Sequence, residues 1–178
     1  MEEYNVCFIG DEKVGKTTLI NLIVDNVFTK EYIPTIGINI RRYVTKKIIN
    51  KRYYKIKLDL YEISGNNRFN CLYKIYIKTS TIIIFCLDTT NISSFEKIKN
   101  LFQEDLYLNK IVFLIGTKID LKNERNVDIN SIKQFTKLYN IHYMEINLPN
   151  KKNLKEFLFL LITQIYEYSK KTPKNTEK

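Results

Sequence analysis

The sequence predicts an α/β domain: a doubly wound, mostly parallel six-stranded sheet with one antiparallel edge strand. Three observations lead there. An apolar run, Val6-Cys7-Phe8-Ile9, enters a glycine-containing loop that opens a helix-patterned segment. Two continuous apolar stretches, Thr81–Leu87 and Ile111–Ile115, suit parallel strands buried on both faces. Helical periods fall between and after them, the alternation that places helices over both faces of a parallel sheet.

Each element has its own signal. Residues 4–9 form a first strand, and 16–25 a helix with Leu19, Ile20, Leu22 and Ile23 at helical spacing. Pro34 and Gly37 break 26–37 into a loop. Ile36, Ile38, Ile40, Arg42 and Val44 alternate with polar neighbours, as do Tyr54, Ile56, Leu58 and Leu60. This period of two on either side of Asn50-Lys51 predicts an antiparallel hairpin with one buried face. Residues 62–80 begin loosely around Gly65 and become helical. Phe95, Ile98 and Phe102 mark a further helix, as do Ile132, Phe135 and Tyr139, and then Leu154, Phe157, Leu158, Leu161 and Ile165. His142 stands alone as a strand residue. The reading is one domain over 1–168 and a polar, lysine-rich, disordered tail over 169–178.

Composition narrows the function classes. A chain of 178 residues with 44% hydrophobic content suits one domain with a full core. The formal charge is +10, from 29 Lys and Arg against 19 Asp and Glu. The basic residues are scattered as Lys46-Lys47, Lys51-Arg52, Lys151-Lys152 and Lys170-Lys171, so a solvated surface is expected and nucleic-acid binding is not. Cys7, Cys71 and Cys86 are odd in number without CxxC spacing, which fits reduced thiols in the cytosol. No apolar run reaches the ~20 residues of a membrane span. Met-Glu-Glu-Tyr does not read as a signal peptide, and with the ending Lys-Asn-Thr-Glu-Lys no anchoring by prenylation is expected of this sequence.

The chemistry begins at Gly10-Asp-Glu-Lys-Val-Gly15-Lys16-Thr17, which reads G-x-x-x-x-G-K-T between strand and helix. The glycines let backbone N–H groups wrap phosphate oxygens, and the helix N-terminus adds free donors. Lys16 would neutralise β and γ phosphates, and the Thr17 hydroxyl would hold Mg²⁺. After the strand 111–115 comes Gly116-Thr-Lys-Ile-Asp-Leu121. A carboxylate at Asp120 can accept from the N1–H and 2-amino group of guanine; against adenine, a buried carboxylate would be left unpaired. The Lys118 stem can lie on one base face, and Phe28 is placed to cover base or ribose from another side.

These motifs together resemble a Ras-superfamily small GTPase, closest to the Rab branch, over about residues 4–168. Tyr32-Ile-Pro-Thr35-Ile-Gly37-Ile is similar to the first Rab switch, and Leu58-Asp-Leu-Tyr-Glu62-Ile-Ser-Gly65-Asn66-Asn-Arg68-Phe69 to the second. Leu87-Asp-Thr-Thr-Asn-Ile-Ser-Ser-Phe95-Glu is similar to the Rab stretch after the fourth strand. The resemblance implies the P-loop GTPase fold and GDP or GTP bound with Mg²⁺. Asp11, Glu12, Lys13, Val14, Gly15, Lys16, Thr17 and Thr18 would surround the phosphates. Thr17, Thr35 and Glu62 would serve the metal. Thr35 and Gly65 would offer N–H groups to the γ-phosphate, and Lys16 and Asn66 would complete the catalytic set. Thr117, Lys118, Asp120 and Leu121, with Asn147, Leu148 and Pro149, would form the guanine pocket.

The departures fall on the chemistry. Glu62 stands where the family has an Asp, one methylene shorter, and Asn66 where it has a water-positioning Gln. Glu12, followed by Lys13, stands where relatives carry Gly or a small residue, so a bulky anion is expected to crowd Asn66 and any arginine finger. Thr117 replaces an Asn, and Pro149 removes a backbone donor. The surface that Rab effectors read becomes Ile40, Tyr61 and Tyr76. The expected protein is a Rab-like switch of intracellular vesicle trafficking with slow intrinsic hydrolysis. The alternative reading is a hydrolysis-deficient scaffold. A nucleotide kinase or ATPase leaves Phe28, Thr35 and Asp120 unexplained together.

Partners implied are an exchange factor, a GTPase-activating protein and effectors, acting on a monomer. The location is cytoplasmic or peripheral on the cytosolic face of intracellular membranes. Membrane contact is expected to be weak or indirect, through Lys170, Lys171, Lys174 and Lys178.

Overall fold

The computed structural model describes residues 1–49, 52–102 and 105–171. The turn at Asn50-Lys51 and the tail from 172, with Lys174 and Lys178, lie outside the described residues. The chain order is β1 (Glu2–Ile9), α1 (Lys16–Val24), β2 (Ile38–Ile49), β3 (Arg52–Ile63), α2 (Asn70–Thr79), β4 (Ile82–Asp88), α3 (Ile92–Leu101), β5 (Ile111–Thr117), α4 (Ile129–Leu138), β6 (His142–Glu145) and α5 (Leu154–Lys171). The sheet order is β2-β3-β1-β4-β5-β6. Among the described strands the β2–β3 pair is antiparallel and the other pairs run parallel. The predicted fold class is the one observed. One boundary is corrected: α5 continues to Lys171, so residues 169–171 are helical and not part of a loose tail.

Period two divides each central strand between two cores. Tyr4, Val6 and Phe8 face α1 and α5, packing near Leu19, Ile20, Phe157, Leu161 and Ile165. Cys7 and Ile9 face α2, α3 and α4, among Tyr73, Ile77, Phe95, Ile98, Ile132 and Phe135. Every residue of β4 and β5 is buried, which is why those runs carry no polar alternation. Burial in these apolar layers pushes the Cys86 thiol up to about 12 and the Cys7 thiol further, so both stay protonated. Cys71 is exposed on α2.

The hairpin corrects one expectation. In β3, Ile56, Leu58 and Leu60 are buried as predicted. In β2 the apolar set points out instead: Ile40, Val44 and Ile48 are exposed. The inward positions of β2 are Arg41, Tyr43 and Thr45, paired with Leu60, Leu58 and Ile56. At this sheet edge the inner face meets the polar shoulder of α1, where Arg41 bonds Asn21 at 3.3 Å and Asp25 at 2.7 Å.

All parallel strands point their carboxyl ends to one rim. The loops leaving β1, β3, β5 and β6 therefore converge there, as ligand-binding loops of open α/β sheets do.

Candidate functional site

The loop between β1 and α1 sits at the centre of that rim. Gly15 has φ 94° and caps α1, and a Cβ there would lie 2.8 Å from a Leu148 methyl. Only glycine fits both the backbone and the approach of the β6 loop. The Lys16 ammonium donates to the carbonyls of Gly10 at 2.9 Å and Asp11 at 2.7 Å. Burial pushes it below the usual lysine value, against the pull of Glu62 and Asp11. A buried cation without a full anionic partner is a receptor for negative charge.

Three oxygens meet beside Lys16. Thr17 Oγ1 and Thr35 Oγ1 are 3.4 Å apart, and Thr35 Oγ1 donates to Glu62 Oε1 at 3.1 Å. Thr17 Oγ1 also donates to Glu62 Oε1, while Asn39 Nδ2 donates to its Oε2 at 3.2 Å. Glu62 is 1% exposed. Two hydroxyls and a carboxylate, brought from three segments, form the all-oxygen donor set that a hard divalent cation takes. The residues present fit Mg²⁺.

A cavity of about 450 Å³ opens above this cluster. Its walls include the predicted Glu12, Lys13, Gly15, Lys16, Thr17, Thr18, Phe28, Thr35, Glu62, Gly65, Lys118, Asp120, Leu121, Leu148 and Pro149. The sequence reading gave no site role to Asn21, Ser64 or residues 29–33, although Tyr32, Ile33 and Ser64 lie in the two switch-like stretches. Residues 29–31 had only their position between Phe28 and Tyr32 as a signal, and Asn21 only its place one turn after Thr17 on α1. Lys13 has φ 61°, and its ammonium lies 5.4 Å from the Tyr32 ring centre, so a cation–π contact crosses the cavity mouth. Burial, with Glu12 and Glu62 nearby, pushes the Tyr32 phenol up.

The remaining predicted residues lie behind the walls. Asp11 turns its carboxylate away, to Lys97. Val14 is buried, and its carbonyl accepts from Thr117 Oγ1 at 2.7 Å. Thr117 Oγ1 is also 3.0 Å from the Leu87 carbonyl, while the Thr117 carbonyl accepts from Thr89. Thr117 is thus a tie between the ends of β4 and β5 and the phosphate loop. Asn147 pairs its backbone with Lys152 and braces its own loop. Two expectations need correction. Asp120 is exposed on the cavity rim and not buried. Asn66 is turned out: its Oδ1 accepts from Arg68 N at 3.1 Å and Arg68 Nε at 3.3 Å, capping a short helical turn.

The base end is braced by groups the motif reading left without a role. Lys118 Nζ pairs with Asp88 at 2.5 Å. Arg125 Nη2 and Tyr143 OH both donate to Glu145 Oε1, at 2.7 and 2.5 Å. Outside the cavity, Ile40 lies opposite Tyr61 across the hairpin, and the Tyr61 and Tyr76 rings are 5.2 Å apart. Among the described residues no helix is long and apolar enough to cross a membrane.

Comparison with known proteins gives the same picture. A model of the Ras family matches residues 5–167. The chain is 33% identical over 158 residues to the "Ras-related protein Rab-1D" of Dictyostelium discoideum, spanning 86% of this chain and 74% of that relative. It is 28% identical over 171 residues to the "Ras-related protein rab-39" of Caenorhabditis elegans, spanning 92% and 73%.

Proposed function

Because this chain belongs to the Ras family of small GTPases, near its Rab branch, we propose a guanine-nucleotide switch that holds GDP or GTP firmly and cleaves GTP slowly. The supporting observation is one cavity with a buried cation and an oxygen cluster at one end and a rim carboxylate, Asp120, at the other.

In this reading the backbone N–H groups of Glu12 to Thr18 surround the phosphates, and Lys16 exchanges its carbonyl partners for phosphate oxygens. Thr17, Thr35 and Glu62 would hold Mg²⁺, which would supply positive charge against the β and γ phosphates. Asp120 accepts from the guanine edge, the Lys118 stem and Phe28 flank the base, and the Leu148 N–H faces the guanine O6. Asp88 keeps Lys118 aligned for that task.

Cleavage needs a water held in line with the γ-phosphate. Asn66 is too short and is already committed to Arg68, so the water is poorly oriented. A misplacement of ~1 Å costs about 10²-fold. Glu12 adds negative charge near the point where charge develops, and Lys13 offsets part of it. The switch is read as a monomer of vesicle trafficking, peripheral on cytosolic membrane faces. Its exchange factor, activating protein and effectors meet the Ile40–Tyr61–Tyr76 face and the two switch loops.

The reading is tested by denaturing purified protein and identifying the released ligand by ion exchange. About one guanine nucleotide per chain is expected. Recovery of an adenine nucleotide, or of none, would sink the proposal.

A further inference from the structure

The turn Gly65-Asn66-Asn67 is fastened to the phosphate loop by one side chain from a third part of the chain. Lys97, on α3, donates to Asp11 Oδ1 at 3.1 Å, to the Gly65 carbonyl at 3.1 Å and to Asn67 Oδ1 at 2.9 Å. An ammonium has three protons, and these acceptors use all of them. One acceptor belongs to the phosphate loop and two to the turn, so Lys97 is a bridge between the segments. Its own backbone is anchored by the neighbouring core residues Phe95 and Ile98.

The joint is close as well as polar. A Cβ on Gly65 would lie 2.2 Å from the Glu12 nitrogen and 2.3 Å from the Asp11 carbonyl carbon. The turn therefore rests directly on the loop backbone. The Gly65–Asn66 peptide is held at both ends, its carbonyl by Lys97 and its N–H by Ser64 Oγ at 3.3 Å. Swinging Gly65 away from the loop would break its bond to Lys97 and separate the ammonium's remaining acceptors. The ion pair with Asp11 is only partly exposed, at 22% and 32% for the two side chains, so water screens it less than a surface pair.

The geometry points to Lys97 as a positioning residue that docks this turn on the phosphate loop through protein contacts alone. In the proposed switch, on which this inference rests for its meaning, the Gly65 N–H faces the γ-phosphate. A turn held only by that phosphate is released on hydrolysis. Here the bridge is built from bonds of Lys97 to Asp11, Gly65 and Asn67, none of which uses a phosphate oxygen. The turn therefore stays docked in both nucleotide states, and the difference that partners can read shifts to the first switch loop around Thr35.

Hydrogen exchange followed by mass spectrometry tests this on the full chain loaded with GDP and with a slowly hydrolysed GTP analogue. In the wild type, amides of residues 64–70 should be protected within about threefold between the two states. Lys97→Met keeps the length of the stem and removes the ammonium. It should cost about tenfold or more in protection in the GDP state, equivalent to about 1.4 kcal/mol, and less with the analogue. Lys97→Arg should restore protection, and amides of the core strand 82–88 should not change. Asp11→Asn, which keeps the shape of the partner, should reproduce part of the loss and serves if Lys97→Met does not fold. Equal protection in wild type and Lys97→Met, or a wild-type turn that opens with GDP, overturns the proposal. Should the chain take no guanine nucleotide, the same comparison of wild type and variant is made on the free protein. Failure of the switch reading and failure of the bridge are then separate results.

Discussion

The loop that carries Lys16 and the turn that carries Asn66 face each other at the same end of one cavity, yet they are fastened by different means. The loop is held through its main-chain groups: Gly15 at φ 94°, the Val14 carbonyl accepting from the Thr117 hydroxyl, and the Gly10 and Asp11 carbonyls accepting from the Lys16 ammonium. The turn is fixed by side chains: Lys97 on Gly65 and Asn67, Arg68 on Asn66, Ser64 on the Asn66 N–H. Fastening at main-chain groups tolerates unusual neighbours, so Glu12 and Lys13 sit in the loop without disturbing these bonds. Side-chain fastening lets a few residues redirect the chemistry. Binding and cleavage can therefore diverge within one site.

The comparison breaks most visibly at its strongest member. Lys16→Ala removes a buried charge aimed at phosphate, and about a 10²-fold or larger loss of nucleotide affinity is expected from the worth of charged hydrogen bonds. Nucleotide titration by fluorescence checks it, and a loss under tenfold would show that the loop grips mainly by backbone. Next comes the oxygen cluster. Glu62→Ala leaves the Thr17 and Thr35 hydroxyls without their shared acceptor. A drop of about 10- to 100-fold in Mg²⁺ affinity is expected, read as the Mg²⁺ concentration that slows nucleotide release.

On the turn the expected effect is small and therefore diagnostic. Asn66→Ala should change single-turnover GTP hydrolysis by less than about threefold, since its oxygen is spent on the cap, while costing about 1 kcal/mol of stability. A tenfold fall in rate would mean that Asn66 leaves Arg68 and orients the water. The smallest effect concerns the brace at the base end. Burial pushes the Glu145 carboxyl up, but hydrogen bonds from Arg125 and Tyr143 outweigh it and hold it below its usual 4.5. A depressed carboxyl stabilises the fold above its unfolded pKa and loses that contribution as pH falls through the folded value. Arg125→Ala should therefore cost under about 1 kcal/mol at pH 7, and the gap should close in acid. Urea unfolding of both proteins at the two pH values measures it.

The sequence disclosed the fold wherever one physical cause acts alone. Continuous burial of β4 and β5 on two faces leaves no other pattern, and the glycines of the phosphate loop sit where backbone must meet backbone. The hairpin was legible as a hairpin but not in its phase. Alternation marks two faces, and only the Arg41 bonds to Asn21 and Asp25 decide which one turns inward at a polar sheet edge. In the site, the residues that the glycine loop places on the cavity wall could be read from spacing. The orientation of Asn66 could not, because it is settled by competition with Arg68 two positions away. Lys97 and Asp88 carried no local signal either. Their partners, Asp11 and Lys118, are distant in sequence and meet only through the sheet order.

The separation of grip from cleavage is tested most directly by a single-turnover measurement on protein loaded with labelled GTP, following bound nucleotide and released phosphate together. Near-stoichiometric GTP is expected to stay bound while phosphate appears at below about 10⁻⁴ s⁻¹, slower than intrinsic small-GTPase hydrolysis. Phosphate release at about 10⁻³ s⁻¹ or faster, or GTP that washes off before it is cleaved, would contradict it.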